Sequence, residues 1–277
     1  MRLRGFKVHP AAIVSPIAFL LQLVTNYCSV YATGNKLFPS SLFDVGNKYK
    51  TRMWPEVSAF PIIWGVIYFF QFLYVGRQFL TAEHRKDTNI LFPITCALNI
   101  TWVFCFVHEK MVASLAVFGA LWLTLAALWV RLKTVAPPAR TLLNYLSLTA
   151  PFSLYLGWAT FDIQLNATTV VQMYRGSPFN LSEIIITTLV ALIVGWIALA
   201  VTCDLMLAAG ILYGFSAVLY RAHAAKDNEL LFVMGLAISS LGSAAAVRLA
   251  TNWLKKDGRF AKQEASSLPL EPRLIEA

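Results

Sequence analysis

The sequence predicts an all-α fold, a polytopic membrane helix bundle of about eight transmembrane helices. Three observations carry this reading. Of the 277 residues, 58% are apolar and only 13% charged, where soluble domains carry about 25% charged residues; the mean hydropathy is +0.62. Several apolar runs approach twenty residues, the length that crosses a bilayer as a helix. Short polar segments with Gly, Pro or charge separate the runs. Hydrocarbon offers the backbone no hydrogen-bond partner, so each run must satisfy its own amides by coiling into a helix.

Taken in order, the first helix runs from about Ala11 to Ala32. The basic "MRLRGFK" ahead of it suits a signal peptide, but the run is long, contains Gln22 and Asn26, and is followed by no A-x-A-like site, so it reads as a span. A polar connection leads to the second helix, about Ala59 to Phe79, with Pro61 in its first turn, where proline is tolerated. "TAEHRKDTN" breaks the pattern before the third, Phe92 to Val107. "HEK" turns into the fourth, Met111 to Leu132, and "KTVAPPAR" separates it from the fifth, Leu142 to Gln172. Pro151 should kink that helix by removing one backbone donor. "YRGSPFNLS" precedes the sixth, Ile184 to Val201. Asp204 marks a tight break before the seventh, Leu205 to Tyr220, and "RAHAAKDNE" leads to the eighth, Leu230 to Trp253. The chain thus divides into a five-helix unit (1–172), three further helices (173–254) and a polar tail (255–277).

The net charge of +9 reflects Lys and Arg between the spans and at both ends, as membrane topology and anionic headgroups require; it does not indicate nucleic acid. With eight spans both termini share a side. That side holds fourteen Lys and Arg against eight opposite, which places both ends in the cytoplasm or its organellar equivalent. Bacterial inner membrane and mitochondrial membrane fit equally. Cys28, Cys96, Cys105 and Cys203 show no ligand or disulfide spacing, so no metal site is assigned. The sequons at Asn99 and Asn166 fall in or near spans, which argues against glycosylation there.

An acid at the bilayer centre costs about 2.5–3.5 kcal/mol on insertion scales, so polar groups in spans must face protein or a wet cavity. Helical spacing aligns them: Trp64, Tyr68 and Gln71 at i, i+4 and i+7; Asn99 and Trp102 at i, i+3; Tyr155, Asp162 and Asn166 on one line, with Trp158 on the adjoining edge. Rings mixed with amides and a carboxyl suit a pocket for a flat amphiphilic guest. The competing reading is interhelical glue, worth about 0.6 kcal/mol per contact. Trp122, Trp129, Trp196 and Trp253 read as interfacial or lipid-facing residues. Arg248 either pairs with Asp162 or snorkels. His108 and Glu109 sit together at a turn without forming a nucleophile–base pair, so no catalytic residue and no enzyme activity are assigned.

"PEVSAFPIIWGVIY" (Pro55 to Tyr68) resembles the P-P-x-W-x-F-P-x-V-W-T-x-L-Y signature of the TspO/MBR family, the tryptophan-rich sensory or translocator proteins. "LNITWVFCF" (Leu98 to Phe106) and "PFSLYLGWATFDIQLN" (Pro151 to Asn166) are similar to that family's L-N-x-x-W-x-x-x-F and P-Y-x-x-W-x-x-x-A-x-x-L-N. The resemblance covers about residues 11–172, with the rest fitting a longer branch with extra helices. It implies a bundle that binds or transports a hydrophobic small molecule in a pocket among its helices. Trp64, Tyr68, Asn99, Trp102, Trp158 and Asn166 would line or brace that pocket. No cofactor is assigned; a tetrapyrrole or sterol is the ligand the resemblance implies, and its members often form homodimers. Two departures stand out: Glu56 and Ser58 replace the motif's second Pro and internal Trp, and Asp162 stands where the family has a small residue. A bulky acid there would shrink the pocket, demand a cationic group on the guest, or fill the old site. The alternative function is a non-catalytic accessory subunit of a larger membrane complex, suggested by Asp162, the basic connection after the first helix and the polar tail.

Overall fold

The computed structural model describes residues 11–80, 86–134 and 141–267. The expectations for the basic start, for the remaining parts of the second and fourth connections, and for the last ten residues fall outside them. The chain forms α1 (Ala11–Tyr31), a short α2 (Leu42–Lys48), α3 (Ala59–Leu80), α4 (Lys86–Val107), α5 (Met111–Thr134), α6 (Leu142–Asn144), a π-helical turn (Tyr145–Thr149), α7 (Ala150–Arg175), α8 (Leu181–Thr202), α9 (Leu205–Ala225) and α10 (Asn228–Ser267). The all-helical membrane bundle is therefore as expected.

Among the described residues, seven helices rather than eight are long and apolar enough to cross a membrane: α1, α3, α4, α5, α8, α9 and α10. The one outside this set is α7, and the reason is composition. Its 26 residues extend about 39 Å at 1.5 Å each, more than a bilayer's hydrocarbon thickness. But 18 of them are buried, against α3, α5 and α9 and, less extensively, α8. A helix sheathed by other helices need not be lipophilic, so it can carry Ser153, Thr160, Asp162, Gln164, Asn166, Thr168 and Thr169 inside the bundle. The outer helices show the converse: Ile13, Ile17, Leu20 and Val24 of α1, and Ile186, Val190, Ile193 and Ile197 of α8, are exposed at three- and four-residue spacing, as a lipid-facing stripe requires.

α7 meets α9 at a glycine crossing. A Cβ on Gly157 would collide with the Leu207 carbonyl, and one on Gly210 would lie 2.6 Å from Trp158 N and 2.7 Å from Leu154 O. Small residues let helix backbones approach where lipid supplies no hydrophobic drive toward association. α9 is thus packed on the bundle centre, α8 touches α7 less extensively, and α10 packs against both α8 and α9.

Two expectations gain local detail. Pro151 sits in the first turn of α7, directly after the π-helical turn, within a segment that is helical from Leu142 to Arg175. Proline cannot donate to the carbonyl four residues back, and the wider register before it accommodates the missing bond. α10 runs 40 residues, although its apolar part ends at Leu254; the helix continues through polar sequence read as tail.

Trp122 and Trp129 turn inward instead of toward lipid. Trp122 Nε1 donates to Thr160 Oγ1 at 2.9 Å, and Trp129 Nε1 to Asp204 Oδ2 at 2.6 Å. Asp204 is the hub of one bundle end. Its Oδ2 also accepts from Ser153 Oγ at 2.6 Å and pairs with Lys133 Nζ at 2.9 Å, while Oδ1 caps α9 through Leu207 N. Arg248 does not reach Asp162; it donates to the Ala200 carbonyl at the end of α8. Trp196 and Trp253 are exposed. Asn180 accepts from the Glu183 amide and caps α8.

Candidate functional site

A cleft of about 480 Å³ lies in the half of the bundle next to residues 32–58, within the range of small-molecule sites. Its walls come from α1 (Leu23, Asn26, Tyr27), α3 (Phe60, Trp64, Tyr68), α4 (Trp102, Phe106) and α7 (Asp162, Leu165, Asn166, Thr169). Trp64 stacks on Tyr68 (centroids 5.6 Å, 30°) and on Trp102 (6.3 Å, 25°), so three near-parallel rings form one wall. Tyr27, Tyr31, Pro61 and Gly65 also line the cleft and are exposed. The mouth therefore opens sideways between α1 and α3, toward the lipid. A Cβ on Gly65 would meet open space.

Five of the nine residues singled out by sequence line this space: Trp64, Tyr68, Trp102, Asp162 and Asn166. Asn166 is fixed there by Trp102 Nε1 (3.1 Å) and Ser114 Oγ (3.3 Å), which donate to its Oδ1, and by its own Nδ2, which donates to the Asp162 carbonyl. The other four do not line it. Gln71, Asn99 and Tyr155 occupy the right stripes at the wrong depth, since Tyr155 is seven residues, or two turns, from Asp162. Asn99 Nδ2 donates to the Tyr155 hydroxyl at 3.2 Å, and Asn99 Oδ1 accepts from Asn26 at 2.8 Å. The Tyr155 ring braces Trp64 edge-on at 5.5 Å. Gln71 is fully buried beyond them. Trp158 packs against Tyr213 of α9, Phe60 of α3 and Phe161 of its own helix. Tyr155, held by Asn99, supports the aromatic wall from behind, and Trp158 meets the cleft residue Phe60 edge-on.

Sequence reasoning missed the roof. Leu42, Phe43 and Trp54, from the connection read only as a polar loop, close the end of the cleft. The Trp54 ring packs against Phe60 (5.4 Å) and over Gly46, whose Cβ would approach it to 2.5 Å. α9 and α10 hold this roof down. Arg221 Nη1 donates to the Trp54 carbonyl at 2.7 Å, and Arg52 binds Asp227 through both Nε and Nη2, at 2.6 and 2.5 Å. On the other flank Lys48 and Tyr49 both reach Glu109, at 2.5 and 2.6 Å. His108 hydrogen-bonds the Phe104 carbonyl, so the turn histidine and glutamate have separate structural partners. The only sequence signal for the roof was Trp54 itself, directly ahead of the Pro55 motif.

The roof contacts set a pH window. The Arg52 guanidinium holds the Asp227 carboxyl below the usual carboxylate range, and Lys48 with Tyr49 lowers that of Glu109. A lowered folded-state value contributes stability that is complete above the ordinary carboxylate pKa of about 4 and is lost as pH falls through the lowered value. Hydrogen-exchange protection of residues 49–58, corrected for intrinsic rates, should therefore hold from pH about 8 to about 5 and decline below about 4. Arg52→Ala should lower it throughout; equal protection in the variant at neutral pH refutes the anchoring.

Fold, composition and lateral cleft together define a multi-pass integral membrane protein of helical-bundle type. The family model for TSPO-like protein matches residues 12–249, from α1 into α10. The chain belongs to the TSPO-like family. Comparison with curated proteins and with solved structures gave no match.

Proposed function

We propose that this protein binds a flat, hydrophobic small molecule in the cleft between α1, α3, α4 and α7, and exchanges it with the bilayer through the α1–α3 mouth, without catalysing a reaction on it. The observation that carries this reading is the stacked Tyr68–Trp64–Trp102 wall facing a lipid-open cleft of about 480 Å³. Rings stack on a planar guest, while the amide held at Asn166 orients one polar substituent. A tetrapyrrole or sterol skeleton has the shape for such a wall. The accessory-subunit alternative drew on the basic 32–58 connection; its Lys48 and Arg52 are engaged in ion pairs within the chain, which weakens that reading.

The test is tryptophan fluorescence in nanodiscs titrated with octaethylporphyrin, an uncharged planar quencher. Saturable quenching is expected, displaced by an added sterol. Gly65→Phe fills the mouth and should weaken binding by about tenfold without lowering the unfolding midpoint. Non-saturable quenching that is identical in the variant would refute a site there.

A further inference from the structure

Among the described residues the bundle buries two carboxylates, Asp162 and Asp204, and it treats them oppositely. Asp204 accepts from Trp129, Ser153 and the Leu207 amide and pairs with Lys133. Asp162, 4% exposed in the cleft wall, has no donor on its buried Oδ2. No cationic side chain among the described residues compensates it. Arg52 is taken by Asp227 and Glu229, Arg221 by the carbonyls of Thr51 and Trp54, Arg248 by Ala200, and Lys133 by Asp204. None of the residues lining the cleft is Lys, Arg or His. The fold can therefore satisfy a structural carboxylate completely, and it leaves unsatisfied the one that faces the cleft.

We infer that the guest is a cationic amphiphile, an apolar ring system carrying an ammonium or amidinium group that pairs with Asp162. This deepens the cleft reading and rests on it. An ionisable residue within a membrane bundle needs a named partner, and here the partner must come from outside the chain. The surroundings fit a cation. The faces of Trp64, Tyr68 and Trp102 attract positive charge through their quadrupoles, and the buried hydroxyl of Thr169, on the cleft and without a partner, can accept a remaining N–H group. The same wall disfavours anions. A tetrapyrrole with carboxylate arms would meet an unpaired carboxylate and no counter-ion, so Asp162 also separates this cleft from one built for acidic guests.

The experiment compares three probes of one shape in zwitterionic nanodiscs at neutral pH, with partitioning into empty discs subtracted. They are dimethyl(naphthylmethyl)amine, which is protonated; isobutylnaphthalene, its uncharged isostere with CH in place of nitrogen; and naphthylacetate, an anion. Wild-type protein should bind the amine at least about tenfold more tightly than the isostere and the anion least. Asp162→Asn should bind amine and isostere equally. The wild-type comparison decides the matter even if the variant does not fold. Equal wild-type affinities, or binding of the isostere alone, overturn the cation assignment and leave the cleft reading standing. A preference for the amine that survives in folded Asp162→Asn also overturns it, because the attracting charge then lies elsewhere. Failure of all three probes to bind overturns both.

Discussion

Gly210→Val should yield little folded protein, because the added side chain has no room at the α7–α9 crossing. Even a bare Cβ would stand 2.6 Å from Trp158 N and 2.7 Å from Leu154 O, which are backbone atoms and cannot rotate away. The helices would have to separate, losing the close packing that holds membrane helices together. Overpacking costs about 1–3 kcal/mol where side chains can adjust, and a backbone clash has less room to adjust. The damage would spread, since α9 carries Arg221 and leads to Asp227, which tie down the roof of the cleft. We expect monodisperse yield to collapse and the thermal midpoint of surviving protein to fall by on the order of 10 °C. Gly235→Ala is the control, because nothing lies within 4 Å of its Cβ; it should be neutral or slightly stabilising. A wild-type midpoint for Gly210→Val would show that the crossing is looser than described.

The second large effect is expected at Asp204. Asp204→Leu removes the acceptor shared by Trp129 and Ser153, the cap of α9, and the counter-charge of the largely buried Lys133. Stranding one member of a buried pair costs about 3–5 kcal/mol, and a lost cap about 1 kcal/mol more. The double variant Asp204→Leu/Lys133→Met should recover a measurable part of that loss, since replacing both ions with apolar groups is far milder than orphaning one. Additive losses in the thermal midpoints of the single and double variants would mean that the pair is not coupled. Asp162→Leu, by contrast, should be close to neutral or stabilising, because no internal donor loses its partner.

These contrasts show which features the chain's local pattern encodes. Periodicity about a helix axis assigned Trp64, Tyr68, Trp102, Asp162 and Asn166 to inward stripes, and all five line the cleft. The same periodicity gave Gln71, Asn99 and Tyr155 the right angle and no depth, and they lie buried beyond the guest space. For Trp158 it left open which neighbours the ring would meet, and these include Tyr213 of α9 and Phe60 of α3. The two buried aspartates looked alike as letters in apolar runs, and only their surroundings distinguish them.

By itself the sequence determined that the chain must cross a bilayer repeatedly as helices, where nearly every helix falls, and which residue types point inward, because backbone satisfaction in lipid and the 3.6-residue repeat are local physics. The tertiary structure alone decided that α7 is sheathed by protein, that residues 42–54 fold back as a roof, and that Asp204 is paired while Asp162 is not. Those outcomes depend on contacts between segments far apart in the chain, about which no local repeat carries information.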